Sequence, residues 1–243
     1  GFNRKKDPEI YWKLSLIYKK TKEPEKEMEY LERAIVGNME YVDALQSLAE
    51  VLHYRMANTE RAGLYQDLVD GKGNTYEVQR ELGNLCYKYA SYSRAKNKYR
   101  IAARSVMREL EKAKGEAEKR SLTNLYLESL VHVGMSDYKF GKEEDAVKII
   151  EGLAEDYPNH ALIDYGHGQI ALLKEDMETA IGFFNSSIEK DPRSDAAPIV
   201  LGDYYMSAGN TDKAIAVWEN FLQNNRYHKK LRKRLNQAKK PVE

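Results

Sequence analysis

The sequence predicts an all-α fold built from repeated helix–turn–helix units, and three observations carry that prediction. Three passages in the C-terminal half run in register at a 34-residue interval, from starts at 127, 161 and 195. Each places a glycine, an alanine and a large residue at the same offsets: Gly134, Gly168 and Gly202; Ala146, Ala180 and Ala214; Ile150, Phe184 and Trp218. Punctuation recurs as well, with Pro158 and Pro192 closing two copies and Arg226 standing where the third would have proline. Glycine and alanine let two helices approach closely, and the large residue four places beyond the alanine shares its face and fills the space beside it. A unit of this kind cannot bury its apolar face alone, so stacking against the next copy is the reason to repeat.

Taken in order, the grid begins near residue 8. A unit starting at 8 supplies Tyr11, Leu14, Tyr18, Leu31 and Ala34, with Glu27 where an alanine is expected. One starting at 42 supplies Leu48-Ala49 and Tyr65, and its turn, HYRMANTERA, is longer by one residue. A third, from 76, supplies Leu82-Gly83, Ala95, Tyr99 and Ala102, and DGKGN at 70–74 reads as the loop before it. These three units occupy 1–109. Residues 110–126, ELEKAKGEAEKRSLTNL, are rich in good helix formers and read as a helical extension. Three well-formed repeats fill 127–228, with Gly141 and Gly209 marking turns inside the helical pairs. A basic capping helix takes 229–243, where Leu231, Leu235 and Ala238 share one face.

This pattern resembles the tetratricopeptide repeat family, whose 34-residue helix–turn–helix units stack into a right-handed superhelical solenoid. The resemblance implies about six repeats over some 220 residues, and a concave groove lined by the first helix of each repeat that binds peptides or protein surfaces. Carried onto this chain, the groove places are Trp12 and Lys19, then Gln46, Glu50 and His53, then Arg80, Asn84, Tyr87 and Lys88 in a mostly polar front half. The back half turns apolar: Val131, Met135, Tyr138, Tyr165, Gln169, Leu172, Leu173, Ile199 and Met206. Family arrays that clamp the acidic C-terminus of cytosolic chaperones need a Lys and Asn pair, then another Asn. Arg80 and Asn84 imitate the pair, but Met135 occupies the next place, so the clamp is broken. The expected function is a non-enzymatic scaffold, adaptor or assembly factor holding a protein or peptide of unknown identity, mainly by the apolar back groove. Packing of those same residues under neighbouring helices or the cap is the competing expectation.

Two basic elements support an alternative, binding of nucleic acid or an anionic surface. Residues 226–240 hold eight Lys or Arg and no acid, in a chain of formal net charge +1, so the remainder is acidic at −7. Within that tail the candidates are Lys229, Lys230, Arg232, Lys233 and Arg234. Along 94–108, six basic and no acidic residues occur, and Lys96, Arg100, Arg104 and Arg108 recur every four residues. Ala95, Tyr99, Ala102 and Ala103 take the buried face there, so the stripe should be convex and solvated.

At 243 residues, 42% hydrophobic and 32% charged, the chain has enough apolar content for a sizeable core. Its single cysteine, Cys86, forms no internal disulfide and sits at a packing place. No apolar run is long enough to span a membrane. A soluble protein of cytoplasm or periplasm is expected, and the opening Gly1-Phe2-Asn3, without an initiator Met, leaves room for a leader or anchor upstream. His53, His132, His160, His167 and His228 are scattered. His160, Asp164 and His167 could share a helix face but fall short of a zinc ligand set. With no HExxH, GxSxG or phosphate loop, no active site, metal or cofactor is expected. The remaining readings are a regulatory fragment of a larger enzyme and self-association through the repeat faces, which no residue pattern decides.

Overall fold

A computed structural model describes residues 7–239; Lys240 and the last residues of the predicted cap range lie outside them. The described residues form thirteen α-helices and no strand: α1 (Pro8–Thr21), α2 (Pro24–Gly37), α3 (Val42–Glu50), α4 (Thr59–Val69), α5 (Tyr76–Lys88), α6 (Tyr92–Leu110), α7 (Glu116–Lys139), α8 (Glu143–Asp156), α9 (Ala161–Leu173), α10 (Met177–Lys190), α11 (Ala196–Ser207), α12 (Thr211–Asn224) and α13 (Lys229–Ala238). They divide into two compact units, one ending at Gly141 and one beginning at Lys142.

Helix starts follow local chemistry. Pro8 and Pro24 open α1 and α2, where the missing N–H costs nothing. Side chains cap several others by accepting an orphan backbone N–H: Thr75 from Val78 at 3.3 Å, Asp176 from Thr179 at 3.2 Å, and the His160 and His228 Nδ1 atoms from Leu162 and Leu231, each at 3.2 Å.

The recurring glycine and the recurring large residue prove to be a single device. A Cβ placed on Gly83 would stand 2.7 Å from the Tyr99 ring, and one on Gly168 2.7 Å from Phe184, while one on Gly202 would overlap the Trp218 indole. Each glycine is a notch in the first helix of a pair that receives the aromatic from the second. Tyr99, Phe184 and Trp218 are at most 2% exposed as a result.

A second regularity was not visible as composition. At the fifteenth place from starts at 8, 76, 127, 161 and 195, the turn residue has positive φ: Lys22 at 61°, Ala90 at 56°, Gly141 at 86°, Glu175 at 63° and Gly209 at 74°. Only two of these are glycine, yet all reverse the chain through the left-handed region. In the unit starting at 42 the reversal comes one residue later, at Ala57 (φ 51°). The extra residue is absorbed just upstream, where Val51–Arg55 form a π-helical turn and Met56 N–H reaches the Val51 carbonyl at 3.1 Å.

In the first unit, Leu31, Ile35, Leu48, Leu52, Tyr65 and Leu82 form the main core. A further cluster joins Tyr76, Ala102 and Val106 to Leu122, Leu125 and Tyr126, so the α7 residues preceding 127 pack against the C-terminal part of α6. The unexpected Glu27 is 2% exposed and is met by the Arg55 guanidinium from the π-helical turn. Glu32 is fully buried and accepts from Arg61 (2.6 Å), Lys88 (2.6 Å) and the Tyr89 hydroxyl (2.8 Å), while Arg61 and Tyr65 also donate to Glu81, each at 2.6 Å. The second unit closes at its C-terminal end on Trp218, Phe221 and Leu231. Truncating Trp218 there would cost about 3–5 kcal/mol.

Candidate protein-binding surface

The first unit carries the predicted face on α5 and α7. Arg80 is not free: its guanidinium donates to Glu128 at 2.5 Å, linking the two helices. Asn84 is exposed but accepts from the Tyr99 hydroxyl at 2.8 Å, fixing the ring that fills the Gly83 notch. Tyr87 stands edge-on to Tyr92 at 5.3 Å, and burial pushes its phenol up to about 12. Met135 and Tyr138 are half-buried on α7 and keep apolar surface accessible. Val131 corrects the expectation: at 0% exposure it belongs to the core, because its place on α7 points inward. Toward the N-terminus, Gln46, Glu50 and His53 line a cleft of about 630 Å³ with Ala49, Ala62 and the highly exposed Tyr54.

The second unit carries the face on α9 and α11. Tyr165 and Gln169 also correct the expectation. They are 6% and 4% exposed, and the Tyr165 ring lies 6.0 Å from Phe184, so both serve packing. Leu172 is half-buried. Ile199 and Met206 are half-buried against the cluster of Trp218, Phe221 and Leu231 that the cap helix completes. Met206 also lines a cavity of about 610 Å³ between α11 and α13, walled by Asp203, Trp218, Lys230, Lys233, Arg234, Gln237 and Ala238.

The basic candidates separate into committed and free groups. Lys96 is not on a solvated stripe. Its ammonium sits 2.5 Å from Asp137 on α7, with the two side chains 18% and 1% exposed. Arg100, Arg104 and Arg108 are exposed on α6. On the cap, Arg234 makes a bidentate pair with Asp203 at 2.8 and 2.9 Å, and Lys239 pairs with Glu219 at 2.6 Å. Lys229, Lys230, Arg232 and Lys233 are exposed and have no ion pair among the described residues. Asp203 was missed in sequence because nothing in the period marks an acid 31 residues ahead of its arginine.

Potentially reactive groups are occupied structurally. Cys86 is fully buried, and burial pushes its thiol up to about 11. His160 caps α9, Asp164 is held by Ser186 (2.6 Å) and Lys190 (2.7 Å), and His167 stacks on Phe183 at 5.0 Å. Among the described residues no group of three or more His, Cys, Asp and Glu gathers as a metal site. None of their helices is long and apolar enough to cross a membrane.

Tetratricopeptide repeat family models match residues 134–195 and 8–35. Over those two stretches the chain carries tetratricopeptide repeats. Repeats of this family serve as protein–protein interaction scaffolds, and that is the class of this chain's function. Solved structures similar to this chain include one from a functional characterisation of Pseudomonas aeruginosa pilF. It has 14% identity and a TM-score of 0.37, over 96% of this chain and 97% of that one. A thermophilic repeat protein of Thermus thermophilus has 15% identity and a TM-score of 0.33, over 95% and 98%. An assembly chaperone of RpL4 has 15% identity and a TM-score of 0.40, over 96% and 95%. A search of curated proteins returned no match.

Proposed function

We propose that this chain is a non-enzymatic scaffold that holds a partner protein through the first-helix faces of its repeats. One observation carries the reading. Met135 and Tyr138 on α7, and Leu172 on α9, keep accessible apolar surface although their helices have already filled a core. Apolar surface left over after folding is what a partner helix or strand recognises. The buried neighbours Val131, Tyr165 and Gln169 then support each face from beneath rather than touch the partner. Affinity capture from native extract tests this. Met135→Glu and Leu172→Glu, made separately and together, are expected to lose a protein that the unmodified chain retains, with helicity unchanged. Retention of that protein by the double variant would remove the reading.

A second reading rests on Arg100, Arg104 and Arg108, exposed on one helix and without ion pairs among the described residues. Spaced by about 6 Å per step, they present a cationic ladder to a nucleic acid or an anionic surface. Its signature is affinity that falls steeply with salt, and salt-insensitive binding would exclude it.

A further inference from the structure

The cap helix does more than close a core, because it also lines the α11–α13 cavity with both charged and apolar side chains. The cavity lining brings the apolar side chains of Met206 and Ala238 together with the cations Lys230 and Lys233. Asp203, the acid of this cavity, is already neutralised by both arms of the Arg234 guanidinium. The net field in the cavity is therefore positive. At about 610 Å³ it lies within the range of sites that take a side chain and the backbone around it.

α13 is also charged against its own interest as a helix. Lys229 and Lys230 stand in its first turn, at the positive end of the helix dipole, and no acid accompanies them. Four exposed, unpaired cations within five residues repel one another in the free protein. An anionic partner relieves that repulsion.

Which anion is decided by what else the cavity offers. A membrane would need the apolar face of α13, but Leu231 on that face is fully buried in the core, with Leu235 and Ala238 packed beside it. A single-stranded nucleic acid would need an aromatic stacking platform. Trp218 cannot supply one, being 2% exposed with its indole N–H donated to the Pro198 carbonyl at 3.2 Å. What remains is cations beside the small apolar surface of Met206 and Ala238. We infer that the α11–α13 cavity is a docking site for an acidic peptide segment, whose carboxylates pair with Lys230 and Lys233 and whose apolar side chain rests on Met206 and Ala238. The inference deepens the protein-binding reading by giving the partner's chemistry at this end, and it rests on that reading.

The test uses the full chain and fluorescein-labelled short peptides followed by anisotropy: one alternating Glu with Leu, one of Glu alone, one alternating Lys with Leu. The Glu/Leu peptide is expected to bind best, with affinity reduced but not abolished by salt. Lys230→Glu with Lys233→Glu should weaken it about tenfold or more, the size of two partly exposed ion pairs. Lys230→Ala with Lys233→Ala should weaken it less, and Met206→Ser should narrow the gap between the Glu/Leu and Glu-only peptides. No binding of the Glu/Leu peptide, equal binding by the charge-reversed variant, or tighter binding of single-stranded oligo(U) or of anionic vesicles would overturn the inference. A partner captured from extract, lost on Met135→Glu or Leu172→Glu but kept by the charge-reversed cap, would leave the scaffold reading standing while removing this site.

Discussion

A buried charge is costly unless paired, and Lys96 with Asp137 shows what that implies for single substitutions. Asp137 is 1% exposed, one carboxylate oxygen receives Lys96, and the other has no hydrogen-bond partner. Removing the lysine would strand a carboxylate in the α6–α7 interface, which costs about 3–5 kcal/mol. Lys96→Ala should therefore lower the urea midpoint sharply, and adding Asp137→Asn should recover part of the loss. Arg100→Ala, one turn along and exposed, should stay within about 0.5 kcal/mol of the parent. Equal effects at 96 and 100 would mean that the lysine is merely a surface charge.

The histidines give the same scale a pH dependence. His132 lies against Tyr99 at 4.9 Å and its Nδ1 is 2.8 Å from the Glu128 carbonyl. Burial holds its imidazole below the ordinary 6.5, against the pull of Glu128, and does likewise for His167 beside Phe183. The unfolded chain thus takes up protons first as pH falls through 6.5. Stability is full above that value and declines below it, since the unfolded state binds more protons there. Glu32, which burial would raise but Lys88 and Arg61 hold below 4.5, adds its own loss only at lower pH. Unfolding midpoints measured downward from neutral pH should fall, and His132→Gln should flatten that fall. An unchanged slope in the variant would assign it elsewhere.

At the scale of the helical pair, glycines of three kinds should respond to alanine with different signs. Gly202→Ala would drive a methyl into Trp218, which is pinned to Pro198, and should destabilise by about 3 kcal/mol. Gly141→Ala keeps open space around it but asks an L-residue to hold φ 86°, at about 1 kcal/mol. Gly182→Ala sits mid-helix in α10 with nothing within 4 Å, and should stabilise by about 0.5–1 kcal/mol. Thermal or urea unfolding of the three variants checks the order, and stabilisation by Gly202→Ala would break the notch account.

Legibility in the sequence followed from the same devices. The glycine and the large residue were readable because each repeats at a fixed place, but that one receives the other, as Gly168 receives Phe184, took the fold to show. The turns at Lys22, Ala90 and Glu175 were not, because the left-handed region is reached there without glycine. Glu27 looked like a defect in the grid until Arg55 met it from a π-helical turn that the period does not encode. Lys96 was misplaced for a similar reason: its helical spacing matches a solvated stripe, and the acid that claims it lies 41 residues away on another helix. Periodicity reports what each unit repeats. Partners made once, such as Asp203 for Arg234, leave no period to read.

The whole molecule puts one reporter in each compact unit. Cys86 is buried in the first, with its thiol raised to about 11, so a thiol reagent at neutral pH reads opening of that unit. Trp218 is buried in the second, and Trp12→Phe would make its fluorescence the sole indole signal. In repeat arrays stability is close to a sum of unit terms and nearest-neighbour terms, so a local defect need not spread its full effect along the chain. Gly202→Ala, a defect confined to the α11–α12 pair, should therefore lower the urea midpoint read by Trp218 more than the midpoint read by Cys86 labelling. Lys96→Ala should do the reverse, because α6 and α7 belong to the first unit. Equal shifts of both signals in both variants would show the described helices unfolding as one cooperative block, and the two-unit division would then have no energetic counterpart.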